Sequence, residues 1–249
     1  MGLMIKNQEI NRKILLKRFP HALHISTYGQ EDKRMDKRKQ TGKLLIRLQK
    51  HNGWGCSHSI RVSRYAVEIG KNLGLDEKEV NELFTAALLH DIGKLFIPAK
   101  ILDKDKTLTK AEYQIVKWHI RFGYLLLKVL GYPENICKAV ENHHERYDGK
   151  GYQKKKDAGL FAEIIGVADA YDAMKNGRPY RDKMESFEIF CAMATASGKQ
   201  FNPDVWEAMS CIVFPQKRNP YATVIETKRG IFAPAPAVIT NDKNICRLP

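Results

Sequence analysis

The sequence has few cysteines and no long apolar run. Only 5 of its 249 residues are cysteines, and no two of them form a C-x-x-C pair. We interpret them as reduced thiols, and their scatter argues against a structural zinc site. No apolar stretch approaches the ~18 residues that a membrane span needs, and the first residues lack the apolar core of a signal peptide. We therefore expect a cytoplasmic protein.

Acidic residues are also scarce, and the deficit is greatest at the start of the chain. The formal net charge is +14, and residues 1–50 contain 13 Lys/Arg against 4 Asp/Glu. Such a segment can contact nucleic acid or anionic lipid, but no aromatic residues are interleaved with the charges to stack bases. We interpret residues 1–40 as a basic, solvated lead-in and do not expect a nucleic-acid partner. Dimerisation, or contact with another protein through this segment, stays open.

Strand signals are missing until the last part of the chain. Residues 41–215 contain a succession of helix start and stop signals, so we predict that they form one domain, an all-α helical bundle. In residues 216–249, two short stretches rich in β-branched residues are separated by glycine and proline. They predict a tail with a small β appendage.

Capping signals indicate where the helices begin. The predicted starts are Ser57, Asp76 with Glu79, Thr109 with Glu112, Pro133, about Leu160, Ser186 and Asn202-Pro203. The capping box at Thr109 should open one continuous helix that runs through His119 to about residue 130, closed by Gly131.

The most informative feature is a set of histidines and aspartates at intervals of roughly 25 to 30 residues. That interval is about the length of two short helices with their turns, so each group can lie on a different helix and point at one place. Imidazoles and carboxylates are metal ligands, and the set is too large for one ion. Its members are His58, His90, Asp91, His119, His143, His144 and Asp169.

The set divides naturally into two coordination spheres that share Asp91. One carboxylate has two oxygens and can bridge two ions, and two metals ~3.5–4 Å apart can hold a hydroxide for in-line attack on phosphorus. The mixed donors favour two divalent ions, iron or manganese, over calcium. We expect His58, His90, Asp91 and Asp169 around one ion, and Asp91, His119, His143 and His144 around the other. Each histidine alone is more often a core or capping residue, and only the joint pattern favours metal binding.

Several motifs occur in an order that resembles a known family. They are HSIRV, LLHDIGK, IPAKILDK, the helix with His119 and Gly123, HHERYDGKGY, and EIIGVADAYDAMKNGRPYR. The chain is similar, over roughly residues 45 to 212, to HD-GYP domains, a subgroup of the HD superfamily of metal-dependent phosphohydrolases. HHERYDGKGY with VADAYDAM and RPYR separates this subgroup from generic HD domains.

The resemblance implies a bacterial cyclic di-GMP phosphodiesterase that forms pGpG and then GMP at a di- or trinuclear metal centre. It implies the ligand set given above, with Asp91 and Lys94 as catalytic residues and Lys94 at the scissile phosphate. The alternative role for Lys94 is a cap at a helix end. Further substrate contacts are implied for Gly151, Tyr152, Arg178 and Arg181; for the two arginines, a structural tie is the alternative. Asp172 is expected to support the surroundings of Asp169.

The sequence departs from the family pattern at three places. Gln153 replaces the proline of the name-giving triplet, which we expect to loosen the substrate lip or to change a partner surface in the 149–156 loop. The following basic segment, KKKDAG, is short. Trp54 stands where trinuclear members have an additional Glu ligand, so we predict two metals rather than three.

Two other functions stay open beside hydrolysis of cyclic di-GMP. The enzyme could act on another cyclic dinucleotide or nucleotide, since a sequence does not give the shape of a pocket. The chain could also be a non-catalytic signalling module that binds nucleotides or proteins. Degenerate members usually lose the His90-Asp91 pair or the His143-His144 pair, and both pairs are intact here.

Overall fold

Helices make up about 70% of residues 36–51, 55–177 and 183–215, which are the residues that this computed structural model describes. No β-strand forms within these ranges, so the all-α prediction is confirmed. The predicted β appendage and most of the basic lead-in lie outside them. The helices are α1 (Lys37–His51), α2 (Gly55–Asn72), α3 (Glu77–Leu89), a 3₁₀ turn (Ile92–Phe96), α4 (Ala99–Leu102), α5 (Lys110–Val116), α6 (His119–Val129), α7 (Glu134–Asn142), α8 (Leu160–Asn176), α9 (Ser186–Ala196) and α10 (Pro203–Val213).

Helices α2, α3, α6, α7 and α8 pack on one another and enclose the core. Their apolar side chains, such as Leu83, Phe122 and Ile164, have no exposed surface. Helix α8 is buried on most of its faces, so its aspartates Asp169 and Asp172 lie inside the bundle. No helix in the described ranges is both long and apolar enough to cross a membrane.

Helix α1 was not predicted, and it crosses the expected domain boundary at residue 41. Its sequence has a low apolar content, but Leu44 and Leu48 recur at i, i+4 and are buried in the core. Thr41 also forms a 2.9 Å hydrogen bond with the hydroxyl of Tyr132. The helical bundle therefore begins at least at residue 37.

The continuous helix predicted from residue 109 to about 130 is wrong. The capping box of Thr109 and Glu112 forms as expected, but the helix stops at Val116 and α6 begins at His119. Between them, the backbone N–H of Trp118 donates to the carbonyl of residue 115 (3.1 Å), three residues back, as in a 3₁₀ turn. No glycine or proline marks this interruption, which is why the pattern did not reveal it.

The other predicted helix starts are close to those observed. The capping box at Asp76 and Glu79 is present, and Asn202 caps α10 with Pro203 at its first position. Two starts shift: α2 begins at Gly55 rather than Ser57, and the cap of α9 is one residue before Ser186. Gly131 follows α6 with a φ of 72°, the conformation that ends a helix.

The 3₁₀ turn crosses α6 at almost backbone-to-backbone distance, and Gly93 makes this possible. A Cβ built on Gly93 would lie 1.8 Å from the carbonyl oxygen of His119 and 2.5 Å from the amide nitrogen of Gly123. No real Cβ can occupy such a position. The crossing brings the segment after α3 against the start of α6.

We predict that Gly93→Ala prevents stable folding, because the methyl group would separate the 3₁₀ turn from α6. Gly42→Ala is a matched control, since a Cβ at Gly42 meets nothing within 4 Å. Gly42 lies inside α1, so its replacement should stabilise the protein by roughly 0.5–1 kcal/mol. Urea denaturation followed by circular dichroism measures both changes. A Gly93→Ala protein with wild-type stability would contradict the proposed crossing.

Candidate metal centre

The structure brings the seven residues of the expected ligand set together inside the bundle. Four of them follow within two residues of a helix end, so short turns rather than helix faces hold them. The positions are His58 on α2, His90 and Asp91 after α3, His119 at the start of α6, His143 and His144 after α7, and Asp169 on α8.

Six of these residues form two groups that could each hold a metal ion. Within each group, the candidate ligand atoms lie within 4.8 Å of one another. The grouping differs from the expected division at two residues: Asp91 was expected in both groups and falls in one, and Asp169 falls in neither, although its Oδ1 lies 3.0 Å from Nε2 of His58. Cluster 1 contains His58, His90 and Asp91, and cluster 2 contains His119, His143 and His144.

Three of the histidines are held by the same kind of hydrogen bond. In each, Nδ1 lies at hydrogen-bond distance from the backbone carbonyl oxygen three residues earlier. The pairs are His90 with Ala87 (2.8 Å), His119 with Val116 (2.7 Å) and His143 with Val140 (2.8 Å). A carbonyl oxygen only accepts, so Nδ1 carries the proton and Nε2 of each neutral ring presents a lone pair to the centre.

These lone pairs face one another without protons between them. Nε2 of His119 and Nε2 of His143 are 3.5 Å apart. Among the described residues, Nε2 of His90 and Nε2 of His144 are buried and form no hydrogen bond. Buried polar atoms without partners are rare and costly, whereas divalent ions bind imidazole nitrogens well. The donor set therefore fits metal ions.

Asp91 lies between the two clusters with one oxygen toward each. Its Oδ1 is 3.6 Å from Nε2 of His119, and its Oδ2 is 3.4 Å from Nε2 of His90. Burial alone would raise the pKa of Asp91, but the charge of Lys94 and the neighbouring His90 more than offset this and hold the pKa well below its usual range. The carboxylate therefore stays ionised in the core.

Lys94 is buried and donates to Asp91 Oδ2 at 2.7 Å. Contact with the scissile phosphate and capping of a helix end stay predictions for this side chain. In this structure, Lys94 balances the charge of the carboxylate between the clusters.

Asp172 orients His58, a contact that the sequence did not reveal. Its Oδ2 accepts from Nδ1 of His58 (2.7 Å), and its two oxygens accept from Arg61 at 2.7 and 2.9 Å. We expected Asp172 to support the surroundings of Asp169, one turn earlier on α8, and it does so through His58, whose Nε2 lies 3.0 Å from Asp169 Oδ1. A carboxylate behind a histidine fixes the ring's tautomer and turns Nε2 toward the centre.

An open cleft of about 170 Å³ leads to cluster 2. Tyr152 forms part of its wall and stacks on His144, with ring centroids 4.6 Å apart. Gly151 also lines the cleft, and a Cβ there would lie 2.5 Å from Cα of Glu145. The structure therefore places Gly151 and Tyr152 beside the candidate metal centre. Arg178, Arg181 and Trp54 lie outside the described residues.

A family model described as an HD domain matches residues 35–205. The match covers more than half of the chain. The chain belongs to the HD domain family. This agrees with the resemblance to HD-GYP domains and with the helical bundle.

Relatives of this HD domain include named phosphodiesterases. It is 37% identical over 156 residues to a cyclic di-GMP phosphodiesterase of Thermotoga maritima, covering 61% of this chain and 42% of the relative. It is 34% identical over 139 residues to a 3'3'-cGAMP-specific phosphodiesterase of Vibrio cholerae, covering 55% and 32%. The chain thus spans less than half of the length of these curated relatives.

Solved structures share the fold of this HD domain. The HDG"Y"P protein Bd1817 from Bdellovibrio bacteriovorus superposes with a TM-score of 0.54 at 19% identity. The match covers 64% of this chain and 52% of that one. At this identity, the likeness concerns the fold alone.

Gln153, which replaces the proline typical of HD-GYP domains, is anchored in this HD domain. Its backbone N–H donates to Glu145 Oε1 (2.6 Å), and its side-chain amide donates to the carbonyl oxygen of Glu141 (3.0 Å). Lys155 N–H donates to the other oxygen of Glu145 at 2.9 Å. A proline has no N–H for the first of these bonds. These hydrogen bonds anchor Gln153 in the lip, while a looser lip and a changed partner surface in the 149–156 loop stay predictions.

We predict that the metal-free protein loses stability as the pH falls from about 6.5 toward 4. Burial lowers the pKa of His119 to about 4 and that of His143 to about 3, and it lowers the pKa of His144 well below its usual range. The unfolded chain binds protons in this window that the folded chain does not, so the free energy of unfolding decreases. His58 acts in the opposite direction: burial lowers its pKa, but hydrogen bonds to Asp169 and Asp172 raise it above the usual value.

Three histidines with lowered pKa values reduce the free energy of unfolding on acidification, and only His58 opposes them. The free energy of unfolding should therefore be at least about 1 kcal/mol smaller at pH 5 than at pH 7. Urea denaturation in the presence of a chelator measures it. The variant His143→Asn removes one of the three groups and should show a weaker pH dependence. A wild-type value that rises on acidification would contradict the buried neutral state of these rings.

Proposed function

We propose that this HD domain is a metal-dependent phosphodiesterase that hydrolyses a cyclic dinucleotide, with cyclic di-GMP as the first candidate. The observation that carries the proposal is the pair of histidine clusters with inward-facing lone pairs and the ionised Asp91 between them. A buried arrangement of this kind is costly unless it binds cations. The names of the relatives support the choice of substrate.

We assign one divalent ion to each cluster, with iron or manganese as the expected metal. His58, His90 and Asp169 would hold the first ion, and His119, His143 and His144 the second, with Asp91 shared. Two ions in such a site supply an activated water and Lewis-acid stabilisation of the charge that develops on the phosphate. The absence of thiolate from this donor set is consistent with these metals rather than with structural zinc.

The protein's own contribution is to fix the donors before any ion or substrate arrives. Backbone carbonyls orient His90, His119 and His143, and Asp172 orients His58. The bundle around them excludes water, which strengthens electrostatic interactions at the site. Lys94 holds Asp91 in the ionised form, and we propose that its ammonium group also contacts the scissile phosphate.

The cleft beside cluster 2 is the proposed binding site for the substrate. Gly151 and Tyr152 line it, and we propose that both contact the nucleotide. Gly151 allows the loop to lie close to Glu145, and the ring of Tyr152 has one face on His144. Arg178 and Arg181 are proposed to bind phosphate or guanine through their planar guanidinium groups.

A second cyclic dinucleotide is supported by a specific comparison. The Vibrio cholerae relative named as specific for 3'3'-cGAMP is almost as similar in sequence as the one named for cyclic di-GMP. Both molecules contain two phosphodiesters and differ in one base. The choice between them therefore depends on base contacts in the cleft.

The test is hydrolysis by the purified protein after loading with Mn(II), or with Fe(II) under anaerobic conditions. We expect cyclic di-GMP to be converted to pGpG and then GMP, measured by liquid chromatography, with 3'3'-cGAMP assayed in parallel. Faster turnover of 3'3'-cGAMP would assign that substrate instead. Turnover of neither molecule with either metal would refute the proposal.

We predict that Asp91→Ala abolishes metal binding and hydrolysis together, because the clusters would lose their shared ligand. Asp91→Asn keeps the shape of the side chain and should weaken both. Asp105→Ala, an exposed aspartate, is the control. Elemental analysis should give two ions in the wild-type protein, since Trp54 occupies the position of the third ion's ligand. Three ions, or an active Asp91→Ala enzyme, would contradict this assignment.

A further inference from the structure

One wall of the cleft contains a lysine that the catalytic proposal does not use. Lys117 lies at the end of α5, in the interruption between α5 and α6, and lines the cleft with Tyr113 and Tyr152. Its Nζ is 4.5 Å from the ring centre of Tyr152 and 5.9 Å from that of Tyr113. The side chain is half-buried. The ammonium group therefore rests on aromatic rings at the edge of the candidate metal centre.

Lys117 differs from the other cations of this region in its partners. Arg146 is bound to Asp148 at 2.8 and 2.9 Å, Lys94 is bound to Asp91, and Lys150 is exposed at the rim. In the described part of the chain, Lys117 forms no ion pair with a carboxylate. An ammonium on a ring face is held less strongly than one that is hydrogen-bonded to a charged acceptor. An anion in the cleft can therefore draw the ammonium group from the rings.

The substrate class supplies such an anion. A cyclic dinucleotide contains two phosphodiesters on opposite sides of its ring. When one of them lies at the clusters for hydrolysis, the other carries its negative charge elsewhere in the cleft. A charge that leaves water must be met by a cation or by hydrogen bonds.

We propose that Lys117 binds the phosphodiester that is not cleaved and thereby favours cyclic dinucleotides over diesters with a single phosphate. This assignment rests on the proposed function. Tyr152 and Tyr113 hold the ammonium group at the cleft wall. The lysine side chain therefore loses little conformational entropy when it binds the phosphodiester. Lys117 is thus a specificity-determining residue, whereas hydrolysis itself takes place at the clusters.

The experiment compares two substrates in three variants of the metal-loaded protein. The first substrate is whichever cyclic dinucleotide the wild-type enzyme hydrolyses faster, and the second is bis(p-nitrophenyl) phosphate, which has one phosphodiester. The variants are Lys117→Met, Lys117→Arg and the control Lys110→Met. Lys110 lies on the same helix, is exposed and does not line the cleft. Metal content is measured in each protein, because Lys117 is close in sequence to His119.

We expect Lys117→Met to raise KM for the cyclic dinucleotide about tenfold, equivalent to ~1.4 kcal/mol, with kcat changed less than about twofold. KM for bis(p-nitrophenyl) phosphate and the metal content should stay at the wild-type values. Lys117→Arg should restore most of the affinity, and Lys110→Met should behave as wild type.

An unchanged KM for the cyclic dinucleotide in Lys117→Met would overturn the inference. An equal rise for both substrates would also overturn it, because Lys117 would then act on the site as a whole. A third result would also overturn the inference. In it, Lys117→Met loses metal, Lys117→Arg keeps full activity and metal, and neither variant distinguishes the two substrates. If the wild-type protein hydrolyses bis(p-nitrophenyl) phosphate but no cyclic dinucleotide, the proposed function fails and the inference with it.

Discussion

The hydrogen bond from a histidine Nδ1 to the carbonyl three residues earlier is the interaction on which the rest of the site depends. It occurs at His90, His119 and His143, and in each case it removes the choice of tautomer. Without it, Nε2 could carry the proton, and the lone pairs would not converge. Each of these rings lies at a helix end or start, where carbonyl groups are less restricted by helical hydrogen bonds. The ends of the helices, rather than their faces, therefore build most of the centre.

The bundle has to bring these helix ends to one point, and two features of its backbone achieve this. The crossing at Gly93 and Gly123 places the segment after α3 directly on the start of α6. Helix α8 is buried in the core and places Asp169 and Asp172 against His58 of cluster 1. The apolar residues around them are fully buried, so small shifts of one helix would disturb packing throughout the bundle.

The sequence predicted the helical class, most helix starts and most of the division of the ligand set, because these depend on local signals and on regular spacing. It did not predict α1, whose apolar stripe is narrow, or the interruption after Val116, which has no breaker residue. The partner of Asp172 depends on contact between α2 and α8, which are distant in sequence. The hydrogen bonds of Gln153 to Glu145 and Glu141 were not predicted, since the loss of proline was considered without the bonds that a new N–H and amide can form.

The carbonyl-held histidines have a consequence for the choice of metal. In small zinc domains, the ion organises its own ligands, and binding supplies the free energy of folding. Here the core and the backbone hold the donor atoms in position, so they form a cage before any ion binds. Such a cage discriminates weakly between divalent ions of similar size, whose affinities follow their intrinsic order. We therefore expect the ion that occupies this cage to depend on which divalent ions are available to the protein, with no change in its sequence.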